Sequence, residues 1–129
     1  MIDVIRGQAL LAMEELAPVD ASFVLTNCLL EGHQGDRATY EKVEQLALRR
    51  GSVFVPVLLT ASDAAYADRI AAPERASRLK MTGASGAEHK RRTTELLRID
   101  HPNLLNIDTT ELPPPEVAQT IISHIRRLA

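Results

Sequence analysis

The chain has a single cysteine, Cys28, and no tryptophan. One thiol closes no intrachain disulfide and builds no cysteine zinc centre; this suits a reducing cytosol, and a cytoplasmic location is expected. Only four aromatic side chains are present, Phe23, Tyr40, Phe54 and Tyr66, so the core must be aliphatic, and stacking platforms for single-stranded nucleic acid are absent. No apolar run approaches the roughly 18 residues that span a bilayer. The N-terminus lacks the charged start and apolar stretch of a signal peptide, so no membrane partner is expected. Net charge is only −2, and nucleic acid is not indicated as a partner. His33, His89, His101 and His124 are scattered without ligand spacing, so no metal centre is expected of them.

What is present fits one α/β domain over residues 1–129. Nearly half the residues are hydrophobic, 45%, enough for a real core. Ile2, Ile5, Ala9, Ala12, Met13 and Leu16 recur at helical spacing, which predicts a helix from about residue 2 to 17, ended by Pro18. Ser22 to Leu30 is a nearly continuous apolar run, the pattern of a parallel strand covered on both faces. A loop with two glycines follows, and Asp36 is placed to cap a helix with Tyr40, Val43, Leu46 and Ala47 on one face and Gly51 past its end. Ser52 to Thr60 reads as a second buried strand, with Pro56 unable to donate a ladder bond. Ser62 or Asp63 caps a helix through about Ala71. Ser85 and Glu88 form a capping-box pattern for a helix to about Arg98. Asn103 to Asp108 reads as a third strand. Thr109 and Thr110 end it, and Pro113, Pro114 and Pro115 lead into a last helix with Val117, Ile121, Ile122, Ile125 and Leu128 on one face. The alternation of helix and strand implies layers built on a parallel sheet.

The charges are uneven. Residues 67–98 hold eight Lys/Arg against Asp68, Glu74, Glu88 and Glu95. The densest part is an arm, Arg69-Ile-Ala-Ala-Pro-Glu-Arg-Ala-Ser-Arg-Leu-Lys80, inside a lid-like segment at about 68–86. Guanidinium groups match phosphate oxygens with paired hydrogen bonds, so the arm reads either as a solvated basic surface or as a grip on a small anion. Cys28 in its apolar run reads as a small core residue. Asp100-His101 reads as a loop cap rather than an acid–base pair, and Lys90-Arg91-Arg92 as a solvated turn.

The order of a strand ending near Asn27, a strand ending in Leu-Leu-Thr, the arm Arg-Ile-x-x-Pro-Glu-Arg-x-x-Arg-Leu-Lys, then Asp-His-Pro-Asn and Ile-Asp-Thr-Thr resembles the C-terminal two-thirds of small P-loop kinases. The gluconate, shikimate and nucleoside-monophosphate kinases are of this type, and the AAA-type kinase-like branch is the most similar. The resemblance runs from about Phe23 to the C-terminus, with the first helix included. It implies an incomplete three-layer parallel sheet of the P-loop NTPase type. It implies ATP-dependent phosphoryl transfer to a small hydroxylated acceptor, with ATP and Mg²⁺ as cofactors by resemblance alone. On it Arg69, Arg75, Arg78 and Lys80 would be the catalytic lid cations, Arg69 and Arg75 closing on the nucleotide phosphates. Asp108, Thr109 and Thr110 would lie near the base, and Asn27, Glu31, Asp36 and Arg37 would face the acceptor.

The chain departs from that pattern in one decisive respect. It has no Gly-x-x-x-x-Gly-Lys-[Ser/Thr] loop, whose backbone amides cradle phosphates. Gly83 to Lys90 imitates it but carries Glu88 where the second glycine belongs. The expectation is therefore a kinase-like chain that is inactive alone, the other reading being a non-catalytic α/β module that binds an anion or a partner protein. Without the first strand of the kinase order, the edges at 23–29 and 53–59 would lie open, and the expectation is either direct pairing of these two strands or a homodimer across the gap.

Overall fold

A computed structural model of the chain describes residues 1–74 and 95–129. They form two compact units, Met1–Phe54 and Val55–Ala129.

In the first unit, α1 (Ile2–Glu15) packs on α2 (Asp36–Arg50). Basic residues at the end of α2 fasten the pair. Arg49 grips the Glu14 carboxylate through two nitrogens at 2.7 and 3.2 Å. Arg50 donates to the carbonyls of Met13 (2.5 Å) and Pro18 (2.7 Å) and lies 5.2 Å over the Phe23 ring. The Met13 carbonyl is one that the end of a helix leaves without an intrahelical donor, and Pro18 stands just past that end. The chain leaves α2 through Gly51 at φ 67°, and the Ser52 amide reaches back to the Ala47 carbonyl at 2.9 Å. That closure needs a left-handed residue, which glycine supplies without steric penalty. Tyr40 meets Phe54 at 5.8 Å between ring centres, and Leu30, Tyr40 and Leu46 are buried.

In the second unit β1 (Val57–Thr60) and β2 (Leu105–Asp108) run parallel, with Val57 opposite Leu105 and Thr60 opposite Asp108. α3 (Asp63–Ala71) follows β1, and α4 (Pro114–Leu128) follows β2 and packs on it. α3 opens on Ser62, whose hydroxyl accepts the Ala65 amide at 3.2 Å. α4 opens after Pro113 with proline in its first positions, where a missing N–H is harmless. The imidazole of His101 accepts the Asn103 amide at 3.0 Å, a loop cap as expected. His124 ties α4 to the turn before β2 through the Asn103 carbonyl at 2.9 Å.

The three-layer sheet of the P-loop type is not what these residues form. Among the described residues there are four helices and one sheet, and that sheet has two strands. The run 22–30 is not a strand. Ser22 through Cys28 are exposed, Val24 at 92%, and only Leu30 makes a bridge. An apolar run states a preference for burial, but a strand exists only where a neighbour supplies the ladder. The homodimer expectation used this run as one of its two strand edges. The second strand is shorter than 52–60 because Pro56 has no N–H. The ladder starts at its carbonyl, which accepts the Leu105 amide at 3.0 Å. The third begins at Leu105, after a turn closed by the Leu104 amide on the His101 carbonyl. Residues 95–98 are not helical, so the helix expected to reach Arg98 does not. On α4, Val117, Ile121 and Leu128 are half-buried while Ile122 and Ile125 are exposed, so the apolar face is narrower than its spacing suggests.

Candidate functional site

The polar groups of the second unit converge where both strands end. The Thr109 amide continues the ladder onto the Thr60 carbonyl at 2.7 Å, and the Thr109 hydroxyl donates to the same carbonyl at 2.8 Å. That hydroxyl also accepts from Arg69 Nη1 at 2.8 Å. Arg69 Nη2 donates to the Thr109 carbonyl and, at 3.5 Å, to the Thr110 carbonyl. Arg69 stands in the last turn of α3, so its guanidinium locks the end of α3 to the segment leaving β2. Next to it the Asp108 carboxylate accepts the Thr110 hydroxyl at 2.6 Å and the Thr110 amide at 2.9 Å. The Thr110 hydroxyl in turn accepts the Ser62 amide at 2.8 Å. The two Thr110 donors, hydroxyl first, hold the Asp108 carboxyl below its ordinary value, with a smaller contribution from the Arg69 charge.

Beside this knot lies an open groove of about 680 Å³. Its wall is largely apolar, with Leu59, Leu112, Pro113, Val117 and Ile121, and its polar members are Arg69, Thr109, Thr110 and Glu111. A concave apolar wall with a few polar groups is the usual form of a small-ligand site, and the carboxyl ends of parallel strands are where α/β proteins place ligands.

The sequence-selected residues fall into three groups. Arg69, Asp108, Thr109 and Thr110 come together in this knot. Arg75, Arg78 and Lys80, with the arm at 75–86, lie outside the described residues. Asn27, Glu31, Asp36 and Arg37 belong to the first unit. There Asn27 lines a small cleft of about 180 Å³ with Arg6, Thr26 and Leu25. Glu31 and Arg37 approach each other at 3.6 Å. The Asp36 carboxylate accepts the Leu30 amide at 2.8 Å. Asp36 is not the cap of α2; the cap position is Gly35 at φ 90°. Thr109 and Thr110 bind α3 rather than capping α4. The sequence reading missed Leu59, Glu111, Leu112, Val117 and Ile121 as groove residues. The signal for them was the unbroken passage from the Thr109-Thr110 strand end into three prolines, which fixes the start of α4 against the strand tips.

Among the described residues no group of three or more His, Cys, Asp or Glu is placed to hold a metal ion, and no helix is long and apolar enough to cross a membrane. No family model, no curated protein and no solved structure matches the chain.

Proposed function

We propose that this chain is a nucleotide-binding module of kinase-like character that holds the base half of a nucleotide in the groove of its second unit and does not transfer phosphoryl groups by itself. ATP is the nucleotide that the resemblance implies. The observation that carries the proposal is the groove itself: an apolar wall at the carboxyl ends of two parallel strands, beside the Asp108–Thr110 stretch that the resemblance sets near the base. Apolar side chains suit the faces of a planar ring, and polar groups at the strand ends suit its edge.

The phosphate half finds less. Arg69, the one lid cation within the described residues, has its guanidinium directed onto Thr109 and Thr110, and the sequence has no glycine-rich phosphate cradle. In P-loop kinases most of the hold on the phosphates comes from that cradle and the helix behind it. Exposed cations alone grip phosphate weakly, because water and salt screen them.

Calorimetric titration with ATP and GTP, beside an assay of nucleotide hydrolysis and of transfer to a panel of sugar acids, shikimate and nucleosides, tests both halves. Saturable binding without turnover is expected. Failure of every nucleotide to bind overturns the base site, and robust turnover overturns the non-catalytic half.

A further inference from the structure

The groove carries a charge that its own wall does not answer. Arg69 and Glu111 are the ionisable residues that line it. Arg69 is turned onto the carbonyls of Thr109 and Thr110 and the hydroxyl of Thr109. Glu111 is exposed, between the Thr110 carbonyl and the three prolines, and among the described residues its carboxylate has no hydrogen bond or ion pair. The other polar groups of the wall are engaged. The Thr109 hydroxyl serves Thr60 and Arg69, and the Thr110 hydroxyl serves Asp108 and Ser62. Glu111 therefore supplies the wall's uncommitted polar side chain, and it offers acceptors only.

Resting on the base-binding reading above, we propose that the groove selects guanine, with the Glu111 carboxylate accepting the ring N1–H and the 2-amino group. An ionised carboxylate presents two oxygens side by side and no donor. Guanine presents two parallel N–H donors on one edge, the arrangement that makes a guanidinium fit a carboxylate with two bonds. Adenine presents one amino group next to the lone pair of N1, and that lone pair would face a carboxylate oxygen. Hypoxanthine keeps the N1–H and lacks the amino group. The apolar residues Leu112, Val117 and Ile121 cover ring faces of any purine equally, so discrimination falls to the edge. A site that hydrogen-bonds a substrate group rejects the analogue that lacks it. Because Glu111 is exposed, water competes for its oxygens and the discrimination is modest, about tenfold.

The test uses guanosine, inosine and adenosine, which carry no phosphate and so leave the basic arm out of the measurement. Each is titrated by calorimetry into the full chain, into Glu111→Ala and into Glu116→Gln, a change in the first turn of α4 at a residue that does not line the groove. Guanosine is expected to bind about tenfold more tightly than inosine, and adenosine no more tightly than inosine. In Glu111→Ala the guanosine advantage is expected to vanish, with inosine, which loses only its N1–H bond, weakening less than guanosine, which loses two. Glu116→Gln is expected to keep the full preference. Equal affinities for the three nucleosides, or a guanosine preference that survives Glu111→Ala, would overturn guanine selection and leave the base groove standing. Failure of all three to bind would overturn the groove reading and guanine selection with it.

Discussion

Replacing Arg69 by methionine separates two roles that the same side chain could play. The aliphatic stem is kept and the guanidinium is lost. In the structure that group makes a 2.8 Å bond to the Thr109 hydroxyl and further bonds to the Thr109 and Thr110 carbonyls. Hydrogen bonds to a charged donor contribute about 1.5–3 kcal/mol when well enclosed. Arg69 is exposed as a residue, and solvent reduces exposed charged contacts towards 1 kcal/mol or less. Loss of a cation from the last turn of α3 adds about 0.3–1 kcal/mol. The expected cost is about 1–2 kcal/mol, or a fall of roughly 4–8 °C in Tm for a chain of this size. Arg69→Lys keeps the charge at the helix end but lacks the planar fork, so it is expected to recover less than half of the loss. Urea denaturation of the ligand-free chain measures this. Unchanged or increased stability in Arg69→Met would refute the locking role and return Arg69 to the phosphate-gripping arm.

Thr109→Val removes the hydroxyl between Arg69 and the Thr60 carbonyl and is expected to cost about 1–2 kcal/mol; its effect should overlap that of Arg69→Met in a double-mutant cycle, and strict additivity would contradict the shared bond. The lowered Asp108 carboxyl stabilises the fold at neutral pH, and this contribution disappears as pH falls through the folded value, below the ordinary aspartate value of about 3.9. Asp108→Asn is therefore expected to lose stability at neutral pH and to show a flatter decline in Tm below about pH 4; a decline parallel to the parent chain would refute it. Gly51→Ala puts a Cβ on a left-handed residue with open space around it, so only backbone strain acts, and the loss is expected to be about 1–2 kcal/mol by thermal melting, with Gly51→Asn milder. Nucleotide turnover by the chain alone is expected to stay at background in a coupled phosphoryl-transfer assay.

Local chemistry was the legible part of this sequence. Ser62, Gly51 and the three prolines each mark a helix end through their own backbone demands, and each marks it in the structure. The pair β1 and β2 was visible as two apolar runs, 52–60 and 103–108, each read longer at its start than the strand it contains. What failed was inference about neighbours. The run 22–30 has strand composition, yet pairing depends on a partner that composition does not contain. The same limit applies to Arg69. A guanidinium suits phosphate and suits backbone carbonyls at a chain end, and only the placement of Thr109 and Thr110 against α3 shows which it meets. Asp36 looked like a cap because it stands at a helix start, but Gly35 at φ 90° takes the cap position and the carboxylate reaches back to Leu30. Glu111 gave no pattern at all, because a rim carboxylate gains meaning only from the groove beside it.

The central claim is that the groove of the second unit receives a nucleotide base. An amide-resolved NMR titration of the full chain with GTP, at moderate salt to suppress loose phosphate contacts, addresses it directly. The account predicts saturable shifts at Thr110, Glu111, Leu112, Val117 and Ile121, with the amides of Thr26 and Asn27 unmoved. No saturable shift, or shifts centred on Thr26 and Asn27, would contradict it.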